Sequence, residues 1–171
     1  MSLDKTLARA VRWLLVATIV IPPFITSFSL YFPFVAGKAY LFRFLVELSF
    51  ALWVFLATRS REYWPNFRNP GLIATFVFLL GLVITALLGV DPVNSFFSNT
   101  ERSDGVIQFF HWVLYLVMIA SLFKSKEDWR QGLKIFVAVA AALAVYAWFK
   151  EWISPELPYI PRLQGSFGNP S

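Results

Sequence analysis

Cysteine is absent from this 171-residue chain, which excludes a disulfide framework, an Fe–S site and a thiol nucleophile. Histidine occurs once, too few for a His-rich metal site. Charge is scarce as well. Asp, Glu, Lys and Arg make up 15% of the residues, against about 25% in an average soluble domain. So few charges cannot cover the surface of a water-soluble globule of this size. Glycine (8) and proline (10) show no period, so collagen-like and mucin-like chains are excluded. What is abundant decides the class. Hydrophobic residues reach 58%, and Phe alone occurs 19 times. Disordered chains are poor in aromatics and rich in charge, the opposite of this balance. The composition is that of a polytopic membrane protein.

Five apolar stretches follow one another, at residues 11–34, 39–57, 72–90, 106–123 and 133–149. Each holds about 17–24 residues, enough to cross a hydrocarbon core of about 30 Å at 1.5 Å per residue. In lipid each segment must pair its own backbone groups, so the stretches are expected to be helices of an all-α transmembrane bundle. Pro22-Pro23 falls inside the first stretch. Proline lacks an N–H donor and clashes with the preceding turn, which predicts a kink or early helix end there, with residues 27–34 as a surface loop. A cleaved signal peptide is the rival reading of this stretch. Its basic start fits, but the apolar run exceeds the usual length of about 7–15 residues, and no small-x-small cleavage site closes it.

The net charge is +5, and its distribution along the chain is informative. Lys5, Arg9 and Arg12 precede the first stretch. Arg59, Arg61 and Arg68 lie between the second and third, and Lys124, Lys126, Arg130 and Lys134 lie at the junction of the fourth and fifth. These ten residues share one side of the predicted topology; Lys38, Arg43, Arg102, Lys150 and Arg162 fall toward the other. The positive-inside rule places the N-terminus in the cytoplasm. Basic residues therefore call for no nucleic acid partner. Residues 154–171 form an external tail that ends in the turn-rich Gly168-Asn169-Pro170-Ser171. That ending predicts a single transmembrane region over 1–171 that is a fragment of a larger fold, with further helices to follow.

The informative polar residues lie where lipid is expected. Arg43 and Glu47 are four apart on one helix face, can pair with one another, and are expected inside the bundle rather than facing lipid. The loop from Asp91 to Gly105 carries Asp91-Pro92 as a turn start, a Phe96-Phe97 pair and Glu101-Arg102, with Ser103 or Asp104 as the cap of the next helix. This loop is either an ordinary connection or an anion site in which Arg102 and helix N-terminal amides face a phosphate. His111 is read as a packing residue hydrogen-bonded to a neighbouring helix.

Three segments together resemble a known family. Phe34-Val35-Ala36-Gly37-Lys38-Ala39-Tyr40 leads into Arg43 and Glu47. Ser95-Phe96-Phe97 is followed by Glu101-Arg102-Ser103-Asp104-Gly105 and His111. Gly165-Ser166-Phe167-Gly168-Asn169-Pro170 closes the chain. In this order and spacing they resemble the N-terminal part of the bacterial O-antigen ligase/polymerase family, over essentially the whole chain. The resemblance implies a polytopic glycosyltransferase of the bacterial inner membrane, active in lipopolysaccharide and cell-envelope biosynthesis. Its donor is an undecaprenyl-diphosphate glycan, and its acceptor on the external face is a lipid A core, another glycan or a protein. It implies no cofactor and no metal. It assigns donor-diphosphate binding to Arg162, which matches an arginine position of the family, with Arg102 as the second candidate. It assigns no catalytic residue here, because His111 does not match the family's catalytic His, expected beyond Ser171. The rival classes are a non-enzymatic membrane protein, such as a transporter segment or scaffold, and a lipid-glycan flippase, which would place several charges deep in its spans.

Overall fold

The computed structural model describes residues 3–26, 29–30, 32, 35–98 and 104–153. Its regular structure is helical: α1 (Leu3–Val20), α2 (Ala36–Arg59), α3 (Pro70–Leu88), α4 (Pro92–Phe97), α5 (Val106–Leu122) and α6 (Lys126–Ile153). Single 3₁₀ turns occupy Pro22–Phe24 and Arg61–Tyr63, and no strand occurs among the described residues.

Local chemistry sets the helix ends. The proline pair closes α1 at Val20, so the first helix covers less of the 11–34 stretch than its apolarity suggested. Asn69 caps α3 by accepting the Gly71 N–H at 2.8 Å, and Pro70 takes the first helical position, where its missing N–H is harmless. The fifth apolar run begins at Leu133, yet α6 begins at Lys126. A reciprocal capping box explains the difference. The Ser125 N–H donates to Asp128 Oδ2 and the Asp128 N–H to Ser125 Oγ, both at 3.0 Å. The expected cap of α5 is not found. Gly105 holds the N-cap position and makes no side-chain cap bond; Asp104 precedes it, and Ser103 lies outside the described residues.

Cross-helix hydrogen bonds give the topology. Arg43 meets Gln108, Glu47 meets His111 and Trp53 meets Ser121, so α2 and α5 run parallel. Asp4 meets Arg59, and Tyr115 donates to the Leu15 carbonyl, so α1 runs antiparallel to both. Arg12 bonds Asp128 Oδ1 at 3.0 Å and the Leu122 carbonyl at 2.5 Å, bringing the start of α6 to the middle of α1. Lys124 donates to the Glu62 carbonyl at the same end. One end of the molecule thus collects most of the basic residues. The other carries the start of α2, the α3–α5 connection and the start of α5.

The core follows helical spacing. Val11, Leu15 and Thr18 of α1 meet Val46, Ser49, Trp53 and Leu56 of α2, with Val113, Val117 and Leu122 of α5. α3 contributes only Leu72, Leu79 and Ala86, one residue every two turns. No side chain of α6 from Lys126 to Phe149 is fully buried. The outer faces of α3 and α6 expose Phe76, Val77, Phe78, Leu80, Leu133, Phe136, Val137 and Trp148. Apolar surface of this extent is not left in water. Among the described residues, four helical segments are long and apolar enough to cross a membrane: Leu3–Phe24, Ala36–Arg59, Pro70–Leu88 and Lys126–Phe149. α5 is apolar but shorter, at 17 residues. Among the described residues the fold is all-helical, and its long apolar helices and exposed apolar faces are those of a membrane protein.

Candidate functional site

A polar seam runs between α2 and α5 at the end opposite the basic residues. α2 offers Tyr40, Arg43 and Glu47 at helical spacing, and Gln108 and His111 lie three apart on α5, preceded by Asp104. Arg43 Nε donates to Gln108 Oε1 at 2.8 Å. The guanidinium lies 5.8 Å from the Tyr40 ring centroid, and both Asp104 and Glu47 act on it electrostatically. One rung deeper, His111 Nε2 and Glu47 Oε1 are 2.9 Å apart, while His111 Nδ1 is 2.7 Å from the Ile107 carbonyl.

That last geometry counts protons. A carbonyl only accepts, so Nδ1 carries the hydrogen that faces Ile107. Nε2 then either donates to an ionised carboxylate or accepts from a protonated one. In both forms the Glu47–His111 pair shares one proton at Nε2···Oε1 and has no net charge. Neutrality matters here. Glu47 is the twelfth residue of a 24-residue helix, about 17 Å from its start. An uncompensated charge at such a depth costs about 2.5–3.5 kcal/mol.

Arg43 and Glu47 both find partners on α5 but differ in exposure from the buried His111. Arg43 is half-buried. The side chain of Glu47 is 64% exposed, whereas that of His111 is 8% exposed. Glu47 is thus largely exposed, yet it reaches the buried imidazole of His111 on α5. The hydrogen bonds that place Arg43 and Glu47 run across to α5. The reason is register. In parallel packing each rung of α2 faces a polar group of α5, so interhelical partners are within reach of both. The expectation for His111, a packing residue bonded to a neighbouring helix, matches what is seen.

The α3–α5 connection is built around close backbone contact. Asp91 Oδ1 accepts the Asn94 N–H at 3.0 Å and starts α4, and Ser95 Oγ donates back to the Asp91 carbonyl at 2.8 Å. A Cβ on Gly105 would lie 2.5 Å from the Phe96 carbonyl oxygen and 2.6 Å from that of Ser95. Only glycine lets α5 start against the end of α4. Ser98, just after α4, sits at φ 57°, the one non-glycine residue with positive φ among those described. A groove of about 320 Å³ opens beside this contact, lined by Thr85, Ser95, Gly105 and Phe109 among others. Arg102 and Arg162, the two residues assigned to donor binding, lie outside the described residues, as does the 154–171 tail. No metal-binding group of three or more His, Asp or Glu side chains occurs among the described residues. No family model, curated protein or solved structure matches the chain.

Sequence reasoning found Arg43, Glu47 and His111 but missed Gln108. The signal was there: Asp104, Gln108 and His111 recur at helical spacing in and just before an otherwise apolar run.

Proposed function

We propose that this chain is the N-terminal part of an O-antigen ligase-like glycosyltransferase of the bacterial inner membrane. The whole protein would transfer glycan from an undecaprenyl-diphosphate donor to a lipid A core, glycan or protein acceptor on the external face. The observation that supports this most is convergence. Two of the three segments carrying the family resemblance, 34–47 and 95–111, are far apart in sequence yet meet through Arg43–Gln108 and Glu47–His111. A lipid-diphosphate donor needs cations at headgroup height and an apolar path for its prenyl tail. In this reading the chain crosses five times, with α5 as the fourth crossing. The basic end is cytoplasmic by the positive-inside rule, and Arg102 and Arg162 lie together on the external side. Further helices cover the face that exposes Glu47.

A second reading is favoured by one specific feature. Glu47 and His111 form a proton-sharing pair deep in the spans, as a lipid-glycan flippase or other transporter would use. The two readings separate in proteoliposomes of the complete protein supplied with donor and acceptor. The ligase reading expects transfer that falls with Arg162→Lys, falls further with Arg162→Ala, and changes less with His111→Ala. The flippase reading expects donor translocation without transfer, abolished by His111→Ala. Unimpaired transfer by Arg162→Ala removes the donor-binding assignment.

A further inference from the structure

At the basic end, the start of α6 presents two adjacent ridges. Lys126, Arg130, Lys134 and Ala138 form one at four-residue spacing; Trp129, Leu133, Val137 and Ala141 form the other. A shallow, open groove of about 890 Å³ lies along them on this one helix face, completed by Lys124. Its chemistry changes along its length. Lys124, Lys126 and Arg130 lie at or before its first two turns, and the stretch from Leu133 to Ala141 is aliphatic apart from Lys134, whose stem lies along it. That apolar stretch is about 12 Å long, close to the roughly 15 Å of hydrocarbon in one leaflet.

Four cations line this groove and no acid does. Of the two acids nearby, one is engaged elsewhere and one faces a lining cation. Asp128 pairs with Arg12 at 3.0 Å, and Glu127 faces Arg130 at 3.7 Å from the rim. Lys124 spends one donor on the Glu62 carbonyl, and Lys126 and Lys134 form no ion pair among the described residues. Trp129 is exposed beside them, its ring 6.3 Å from that of Phe123. An indole at this height, between charged heads and an aliphatic groove, is the interfacial anchor of membrane proteins.

We propose that this groove is a binding site for an anionic glycerophospholipid. Its phosphate is held among Lys126, Arg130 and Lys134, its glycerol lies against Trp129, and one acyl chain runs along Leu133, Val137 and Ala141. The occupant is fixed by charge and by shape. Four cations, one of them faced by Glu127, leave a net positive surface that favours a headgroup of net negative charge over a zwitterionic one, and the aliphatic groove requires a chain that a free phosphate lacks. The site depends on α6 lying in a bilayer, not on the enzymatic reading.

The test uses the 171-residue chain in mixed micelles, with Trp129 as reporter. Brominated phosphatidylglycerol and brominated phosphatidylcholine quench nearby indoles, and the Trp129 contribution is the difference between this chain and its Trp129→Phe variant. Half-quenching of that contribution is expected at a mole fraction of phosphatidylglycerol lower than that of phosphatidylcholine by about tenfold. The triple variant Lys126→Gln/Arg130→Gln/Lys134→Gln should lose most of that preference. The triple variant Lys5→Gln/Arg61→Gln/Arg68→Gln removes the same charge from exposed positions outside the groove, and it should keep the preference. Inorganic phosphate at 100-fold excess, a concentration on the order of millimolar, should leave quenching unchanged. Equal quenching by both lipids overturns the proposal. So does equal loss in both triple variants, which would mean general attraction to the basic end, and so does displacement by phosphate alone.

Discussion

The two ends of this bundle use charge in opposite ways. At the basic end, ion pairs tie helices together near their ends: Asp4 at the start of α1 to Arg59 at the end of α2 at 2.6 Å, and Arg12 of α1 to Asp128 at the start of α6 at 3.0 Å. Each cation there is half in water, and a pair of that kind is worth about 0–1 kcal/mol. At the other end, polar groups sit within apolar helices and meet rung by rung across α2 and α5. There the alternative to a partner is hydrocarbon rather than water. The difference teaches that the number of ion pairs is a poor guide to their weight. Solvent decides it: the Glu47–His111 pair is tolerated because sharing one proton makes it neutral, while the basic end needs no such device.

The comparison can be broken most sharply at Gly105. A side chain there meets the carbonyls of Ser95 and Phe96, so Gly105→Ala should destabilise the chain by about 2–3 kcal/mol, measured by denaturation in detergent. An effect below about 0.5 kcal/mol would show that the α4–α5 contact is looser than the structure makes it. Next comes the seam. His111→Ala strands Glu47 without its partner and should destabilise by about 2 kcal/mol, whereas Glu47→Gln keeps a neutral donor for Nε2 and should do less. A double-mutant cycle over Glu47 and His111 should return a coupling of about 0.5–2 kcal/mol that salt does not change.

Smaller effects belong to the basic end and its border. Trp53 Nε1 bonds Ser121 Oγ at 2.7 Å inside the core, so Trp53→Phe should lose about 1 kcal/mol. Asp4→Asn should lose less than about 1 kcal/mol at low ionic strength and almost nothing in molar salt. A salt-insensitive Asp4–Arg59 coupling larger than that of Glu47–His111 would invert the contrast between the two ends.

Much of the fold was legible in the sequence because lipid imposes few solutions. Four of the five apolar stretches are helical along most of their length; in the first, the proline pair ends α1 at Val20, where the missing donor requires. Hydropathy could not see that α6 starts at Lys126, since its first turns are charged; the Ser125–Asp128 box carries that information instead. The cap of α5 misled for a related reason. Asp104 is a good cap in isolation, but close packing on Ser95 and Phe96 places glycine at that position. The site was half legible. Arg43 and Glu47 stand out because charge is rare in such helices, but the choice of partner depends on which helix lies beside α2 and at what register. No local spacing encodes that.

The central claim is that α2 and α5 run side by side, in parallel, with Glu47 opposite His111. The absence of native cysteine makes a direct measurement free of background. Glu47→Cys combined with His111→Cys, treated in membranes with a short bifunctional thiol reagent, should give an intramolecular cross-link in high yield. Glu47→Cys combined with Asp4→Cys, at opposite levels of the bundle, should give none. Efficient cross-linking of the second pair and not the first would contradict the seam and the topology built on it.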